Sequence, residues 1–136
     1  MTKAILRITN YMTHSPLSIG QEQTLAHAHR LMREHTIRHL PVLHGGKLVG
    51  LISDRDLHLI ETLRDVDPEN VLVEEAMTTS VYSVSPQAHL DAVVGQMAEQ
   101  KYGCAVVMDQ GRVVGMFTTI DAMRALAELV GMRLKA

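Results

Sequence analysis

Two stretches of this chain end an apolar run in a hydroxyl residue followed three positions later by an aspartate: Gly50-Leu51-Ile52-Ser53-Asp54-Arg55-Asp56 and Gly115-Met116-Phe117-Thr118-Thr119-Ile120-Asp121. A strand that ends this way and runs into a helix has two uses for such residues. Ser53 or Thr118 can cap the helix while the aspartate at its third position bonds back to the cap N–H, an acidic form of the capping box. Alternatively, the free N–H groups of the helix start can face an anion while the carboxylate accepts hydrogen bonds from the two hydroxyls of a ribose. Residue types alone leave both uses open.

Other groups that could do chemistry lack partners at useful spacing. Seven of the eight histidines (His14, His27, His29, His35, His39, His44, His58) fall in the first half. His27 and His29 are two positions apart on a helix and so point apart, whereas metal pairs on helices stand at i, i+4. His35 and His39 have that separation, but His39 follows the expected helix end, so no metal site is expected. Cys104 has neither a histidine base nor a second cysteine in evident partnership, which argues for a small wall residue rather than a nucleophile. No Ser-His-Asp spacing, phosphate-binding glycine loop or paired-carboxylate pattern is visible. The chain is therefore expected not to be an enzyme.

The elements that must position Asp56 and Asp121 are written twice. Met12 to Ile60 aligns without a gap on Met77 to Ala125, bringing Thr13 onto Thr78, Met32 onto Met97, Val42 onto Val107, Gly50 onto Gly115 and Asp56 onto Asp121. Such a repeat governs the fold. Each copy predicts a short extended segment (Leu17 to Ile19; Tyr82 to Val84) and a helix with apolar residues at helical spacing (Leu25, Ala28, Met32; Leu90, Val93, Met97). A hairpin of two buried strands follows, Leu40 to Leu43 with Lys47 to Ile52, and Ala105 to Met108 with Arg112 to Phe117, turning at His44-Gly45-Gly46 and Asp109-Gln110-Gly111. A second helix runs from about Asp54 to Arg64 and from about Thr119 to Lys135. The expected fold class is α/β in composition (α+β), two β-α-β-β-α repeats packed sheet to sheet about a pseudo-twofold axis, since a unit of about 50 residues buries too little surface alone. Residues 1–64 form the first repeat, 65–74 a connector with its turn at Asp67-Pro68, and 75–136 the second repeat.

The 136 residues are 46% hydrophobic and carry a formal charge of -2, with 13 basic residues dispersed along the chain. That gives no electrostatic footprint for nucleic acid or an anionic membrane. No segment approaches the run of about 20 apolar residues that a membrane helix needs, and the N-terminus has no signal-peptide core. A lone cysteine fits a reducing compartment, so a soluble, cytoplasmic protein is expected.

The duplicated motif, with Tyr11-Met12-Thr13 and Ala76-Met77-Thr78 ahead of each repeat and Ile37-Arg38-His39-Leu40-Pro41-Val42 within the first, resembles the cystathionine-β-synthase (CBS) domain, whose tandem pair is called a Bateman module. The resemblance covers nearly the whole chain. It implies a regulatory module that binds an adenosine-containing ligand (AMP, ADP, ATP or S-adenosylmethionine) in the cleft between repeats, with no cofactor required. It also implies a homodimer, and action in trans on an unidentified regulated protein. The alternative is a structural dimerisation or assembly module whose clefts are vestigial.

By the same resemblance, Asp56 and Asp121 hold the ribose, in two pseudo-symmetric sites. One combines Thr118 and Asp121 with Thr13, Ser18, Ile37, Arg38 and His39. The other combines Ser53, Arg55 and Asp56 with Thr78, Ser83, Tyr102, Gly103 and Cys104. Arg38, His39 and Arg55 are the candidates for phosphate contact, because a guanidinium offers paired donors to phosphate oxygens. Arg38-His39 become Gly103-Cys104, Pro41 becomes Val106 and Arg55 becomes Ile120 in the second copy. The two sites are expected to be chemically unequal.

Overall fold

The computed structural model describes residues 5–135, Lys135 by its backbone alone. Residues 1–4 and 136, the outer ends of the two expected repeats, lie outside that description. The described chain is α+β, with two sheets in two compact units.

One unit spans Leu17–Val81. It begins with β2 (Ile19–Gly20), which follows the two-residue strand β1 (Thr13–His14) of the other unit, and continues through α1 (Leu25–His35), β3 (His39–His44), β4 (Lys47–Ser53), α2 (Asp54–Glu61) and the single turn α3 (Val73–Ala76). Its sheet has the order β2-β3-β4, parallel between β2 and β3 and antiparallel in the hairpin. Gly45 and Gly46, at φ 57° and 80°, make the hairpin turn, a left-handed conformation that side chains disfavour. Leu25, Ala28 and Met32 of α1 bury against Leu40, Val42, Ile52 and Leu57, the stripe expected from their spacing.

The other unit contains the described residues up to Pro16 and those from Tyr82 onward. It comprises β1, β5 (Ser83–Val84), α4 (Leu90–Gln100), β6 (Cys104–Asp109), β7 (Arg112–Thr118) and α5 (Thr119–Lys135), with sheet order β1-β7-β6-β5. Its core gathers Ile8, Met12, Leu90, Val93, Met97, Ala105, Val107, Phe117 and Ala125. Ile8 and Met12 come from the start of the chain, so the lead-in of the first repeat completes the sheet and core that hold the second repeat's strands. The converse holds in the first unit, where Thr78 pairs with Leu51, with N–H to O distances of 2.8 and 2.9 Å.

Several boundaries differ from expectation. The second helix of the first repeat stops at Glu61 rather than Arg64, because Thr62 turns its hydroxyl onto the Leu59 carbonyl at 2.8 Å and Leu63 closes a tighter bond to Ile60 at 3.1 Å. The short extended segments also begin later, at Ile19 and Ser83. Residues 65–74 are a packed part of their unit. The N–H of Leu25 bonds the Val71 carbonyl at 2.9 Å, and Val73 is fully buried.

Candidate functional site

Each strand-to-helix junction is closed by its own side chains. In the Leu17–Val81 unit the backbone N–H and hydroxyl of Ser53 both donate to Asp56 Oδ2 at 2.9 Å, and Asp56 N–H donates to Ser53 Oγ at 3.2 Å. At the other junction Thr118 N–H and Oγ1–H donate to Asp121 Oδ2 at 2.9 and 3.2 Å, with Asp121 N–H returning to Thr118 Oγ1 at 3.4 Å. The capping use of the motif is thus realised twice. It engages one carboxylate oxygen per aspartate.

The remaining oxygens differ. Asp121 is only 6% exposed, and its Oδ1 accepts from the Thr13 hydroxyl at 3.3 Å with the Arg124 guanidinium 3.9 Å away. Asp56 is half-buried, and among the described residues its Oδ1 has no hydrogen-bond partner; the Thr78 hydroxyl, equivalent to that of Thr13, makes no bond to it. One junction therefore offers an open acceptor and the other a closed one.

Glycine makes the approach of the lead-in segments possible. A Cβ on Gly115 would collide with Met12 Sδ, and one on Gly50 would stand 2.5 Å from Met77 Sδ and 2.9 Å from the Thr78 carbonyl oxygen. The methionines lie over bare backbone, which sets each following threonine beside its strand end.

The structure distributes the candidate residues between the units as follows. Thr13, Ser83, Tyr102, Gly103, Cys104, Thr118 and Asp121 share one unit, where Thr13 stands opposite Met116, Ser83 opposite Val106, and Cys104 opposite Thr118. Ser18, Ile37, Arg38, His39, Ser53, Arg55, Asp56 and Thr78 share the other, where His39 stands opposite Ser53 and the Asp54 N–H bonds the Arg38 carbonyl at 2.9 Å. Thr13 is thus brought to Asp121, and Thr78 pairs with Leu51 on the strand leading to Ser53.

The turns that carry the wall residues have one construction. α1 and α4 end in left-handed residues, Thr36 and Lys101 at φ 54° and 59°, and the next N–H closes back on Met32 or Met97. After this turn the first repeat presents Arg38 and His39, the second Gly103 and Cys104. Arg38 and Arg55 are exposed, and among the described residues neither makes an ion pair. Burial lowers the pKa of His39 from its ordinary value; Asp54 and Asp56 pull it back up and Arg38 opposes them. Burial pushes the Cys104 thiol up to about 12, so it is not a thiolate at neutral pH. Tyr102 stacks on Tyr82 at a centroid distance of 5.1 Å, leaving an aromatic face beside the Gly103 turn.

Sequence reasoning missed one group. His29 Nδ1 meets Glu61 Oε1 at 2.5 Å and ties α1 to α2, beside a cleft of about 330 Å³ lined also by Arg33, Arg38, Leu57 and His58. The pair is 32 positions apart, outside any helical spacing that could signal it. Among the described residues, no group of three or more His, Cys, Asp or Glu converges as metal ligands would, and no helix is long and apolar enough to cross a membrane.

Duplicated frames, each ending in an aspartate-capped helix start, define a tandem-repeat protein. The family model for the CBS domain matches residues 8–59 and 73–128, and the chain belongs to that family as a tandem pair. It is 31% identical over 111 residues to hypoxic response protein 1 of Mycobacterium tuberculosis, covering 81% of this chain and 78% of that protein. It is 32% identical over 122 residues to inosine-5'-monophosphate dehydrogenase of Korarchaeum cryptofilum, covering 89% of this chain but only 24% of that enzyme. Among solved structures, the CBS domain pair of protein MJ0100, in complex with 5'-methylthioadenosine and S-adenosyl-L-methionine, superposes with a TM-score of 0.83 at 25% identity, covering 92% of this chain and 98% of that one.

Proposed function

We propose that this protein is a ligand-sensing regulatory module. It binds an adenosine-containing molecule, AMP, ADP, ATP or S-adenosylmethionine, and acts as a homodimer on a separate partner protein. The observation that carries this reading is the duplicated aspartate at a strand-to-helix junction. At Asp56 the carboxylate keeps one oxygen that no described residue hydrogen-bonds, the acceptor that ribose hydroxyls require. The adenosine ligands held by the CBS pair of MJ0100 support the ligand class. Asp56 and Asp121 hold ribose hydroxyls, the hydroxyl side chains Thr13, Ser18, Ser53, Thr78, Ser83 and Thr118 lie along the sugar and phosphates, and Ile37, Tyr102, Gly103 and Cys104 form walls. Arg38, His39 and Arg55 meet phosphate, because among the described residues Arg38 and Arg55 have no acidic partner to give up. No catalytic group is assigned.

Thermal unfolding with each ligand tests the proposal. A ligand at about 100 times its Kd stabilises by roughly 2.7 kcal/mol, a rise of several degrees for a chain of this size. If none of the four ligands moves the transition, the sensor reading fails and an assembly module without a working site replaces it.

A further inference from the structure

The helix pair of the first repeat borders an ionic cleft where that of the second borders an apolar one. Among the described residues, α1, the turn after it and α2 line a cavity of about 330 Å³ beside the His29–Glu61 pair. Met32 and Leu57, both buried in the core, back it. Three donors reach it from three elements: Arg33 from α1, Arg38 from the turn and His58 from α2, all exposed. Two carboxylates also line it. Glu61 is taken by His29, whose Nδ1–H is the donor because an ionised carboxylate only accepts, and Asp54 makes no ion pair among the described residues. Two guanidiniums and an imidazole without ion-pair partners thus face one such carboxylate.

At the equivalent positions of the second repeat, His29, Arg33, Arg38, His58 and Glu61 are replaced by Val94, Ala98, Gly103, Met123 and Leu126. There Val94 of α4 and Leu126 of α5 line an apolar groove. Apolar side chains are therefore enough to pack this pair of helices in the shared frame, and the fold does not require the ionic set of the first repeat. The His29–Glu61 bond has a structural use, since it ties α1 to α2. Arg33, Arg38 and His58 make no ion pair among the described residues, so their charges and donors are available to a ligand.

We propose that this cleft binds the phosphate group of a small anion, held between α1 and α2. Donors arriving from three elements suit a tetrahedral oxyanion, which offers acceptor oxygens in several directions, whereas a planar carboxylate is satisfied by one guanidinium fork. The volume is at the lower end of small-ligand sites and admits a compact phosphate compound, with an apolar part against Met32 and Leu57. The inference goes beyond the adenosine reading and shares only Arg38 with the polar groups invoked there. Ser53, Asp56, His39 and Arg55 do not line this cleft.

Calorimetric titration of the full chain with inorganic phosphate, and with acetate as the planar control, tests the site. Saturable phosphate binding is expected, with acetate about tenfold weaker and a loss of about tenfold or more in Arg33→Ala and in His58→Ala, the worth of one hydrogen bond to a charged group. Arg112→Ala, which removes an exposed cation of the other unit, should bind phosphate as the wild type does. Amide chemical shifts of the wild type give a second readout that does not depend on how the variants fold. Phosphate should move the resonances of His29, Arg33, Arg38 and His58 and leave those of Asp121 and Arg124 in place. No saturable binding at millimolar phosphate, unchanged affinity in both variants, or acetate binding as tight as phosphate overturns the proposal. Arg33 and His58 have no part in the adenosine site, so either reading can fail alone. Phosphate binding lost in these two variants sustains the cleft even in a chain that takes no adenosine ligand, and an adenosine ligand bound where phosphate is not leaves only the adenosine reading standing.

Discussion

Thr13 donates its hydroxyl to Asp121 at 3.3 Å across 108 positions of sequence, and no such bond joins the equivalent Thr78 to Asp56. The chain start is thereby tied to the junction of the second repeat by more than strand pairing. Thr13→Val should cost about 1 kcal/mol of stability, the net worth of one partly buried hydrogen bond, and Thr78→Val should cost nothing measurable in urea unfolding.

The two aspartates should separate in the same way. Asp56→Ala removes a cap and should cost about 1 kcal/mol. Asp121→Ala removes the equivalent cap and also leaves the Thr13 hydroxyl unpaired, so a loss of about 2–3 kcal/mol is expected from the same urea titrations.

Gly115→Ala sets a methyl against the flexible end of Met12, whereas Gly50→Ala meets both Met77 and a backbone carbonyl. Each should destabilise by about 1–3 kcal/mol, Gly50→Ala more. In a double-mutant cycle, Met12→Ala should relieve most of the overpacking in Gly115→Ala, and Met77→Ala should relieve Gly50→Ala only in part.

His39 supplies a pH dependence of definite sign. Burial depresses its folded pKa below the unfolded value near 6.5, so in that range the unfolded chain binds more protons. Its contribution is fully present above pH 6.5 and is lost as pH falls through the lower folded value. Denaturation midpoints should therefore fall from pH 7.5 towards pH 5 more steeply for the wild type than for His39→Gln; equal slopes would contradict the lowered pKa of this half-buried imidazole.

Much of this architecture is legible in the sequence because it is periodic. The gapless alignment of Met12 to Ile60 with Met77 to Ala125 marks both sheets, and the spacing of Leu25, Ala28 and Met32 marks the helix face that buries. The capping residues are equally plain, since Ser53 with Asp56 and Thr118 with Asp121 act locally. Pairing at long range leaves no local pattern. The seating of Met12 on Gly115 and the tie from His29 to Glu61 are decided by tertiary packing, and nothing in the spacing of either pair signals them. The end of α2 at Glu61 turns on one threonine hydroxyl. Ile120, Met123, Val130 and Leu134 of α5 recur at helical spacing yet stay exposed, because periodicity cannot tell a face that buries in its own unit from one left bare.

The ligand claim is tested most directly by calorimetric titration of the wild type, Asp56→Asn and Asp121→Asn with AMP, ADP, ATP and S-adenosylmethionine. Asparagine keeps an oxygen for the cap N–H while removing the carboxylate charge, so folding and ribose binding are separated. Saturable binding of at least one ligand to the wild type is expected, with a loss of about tenfold or more in Asp56→Asn, whose aspartate keeps an oxygen that no described residue bonds. No heat of binding for any of the four ligands, or identical affinities in all three proteins, would contradict the ligand claim.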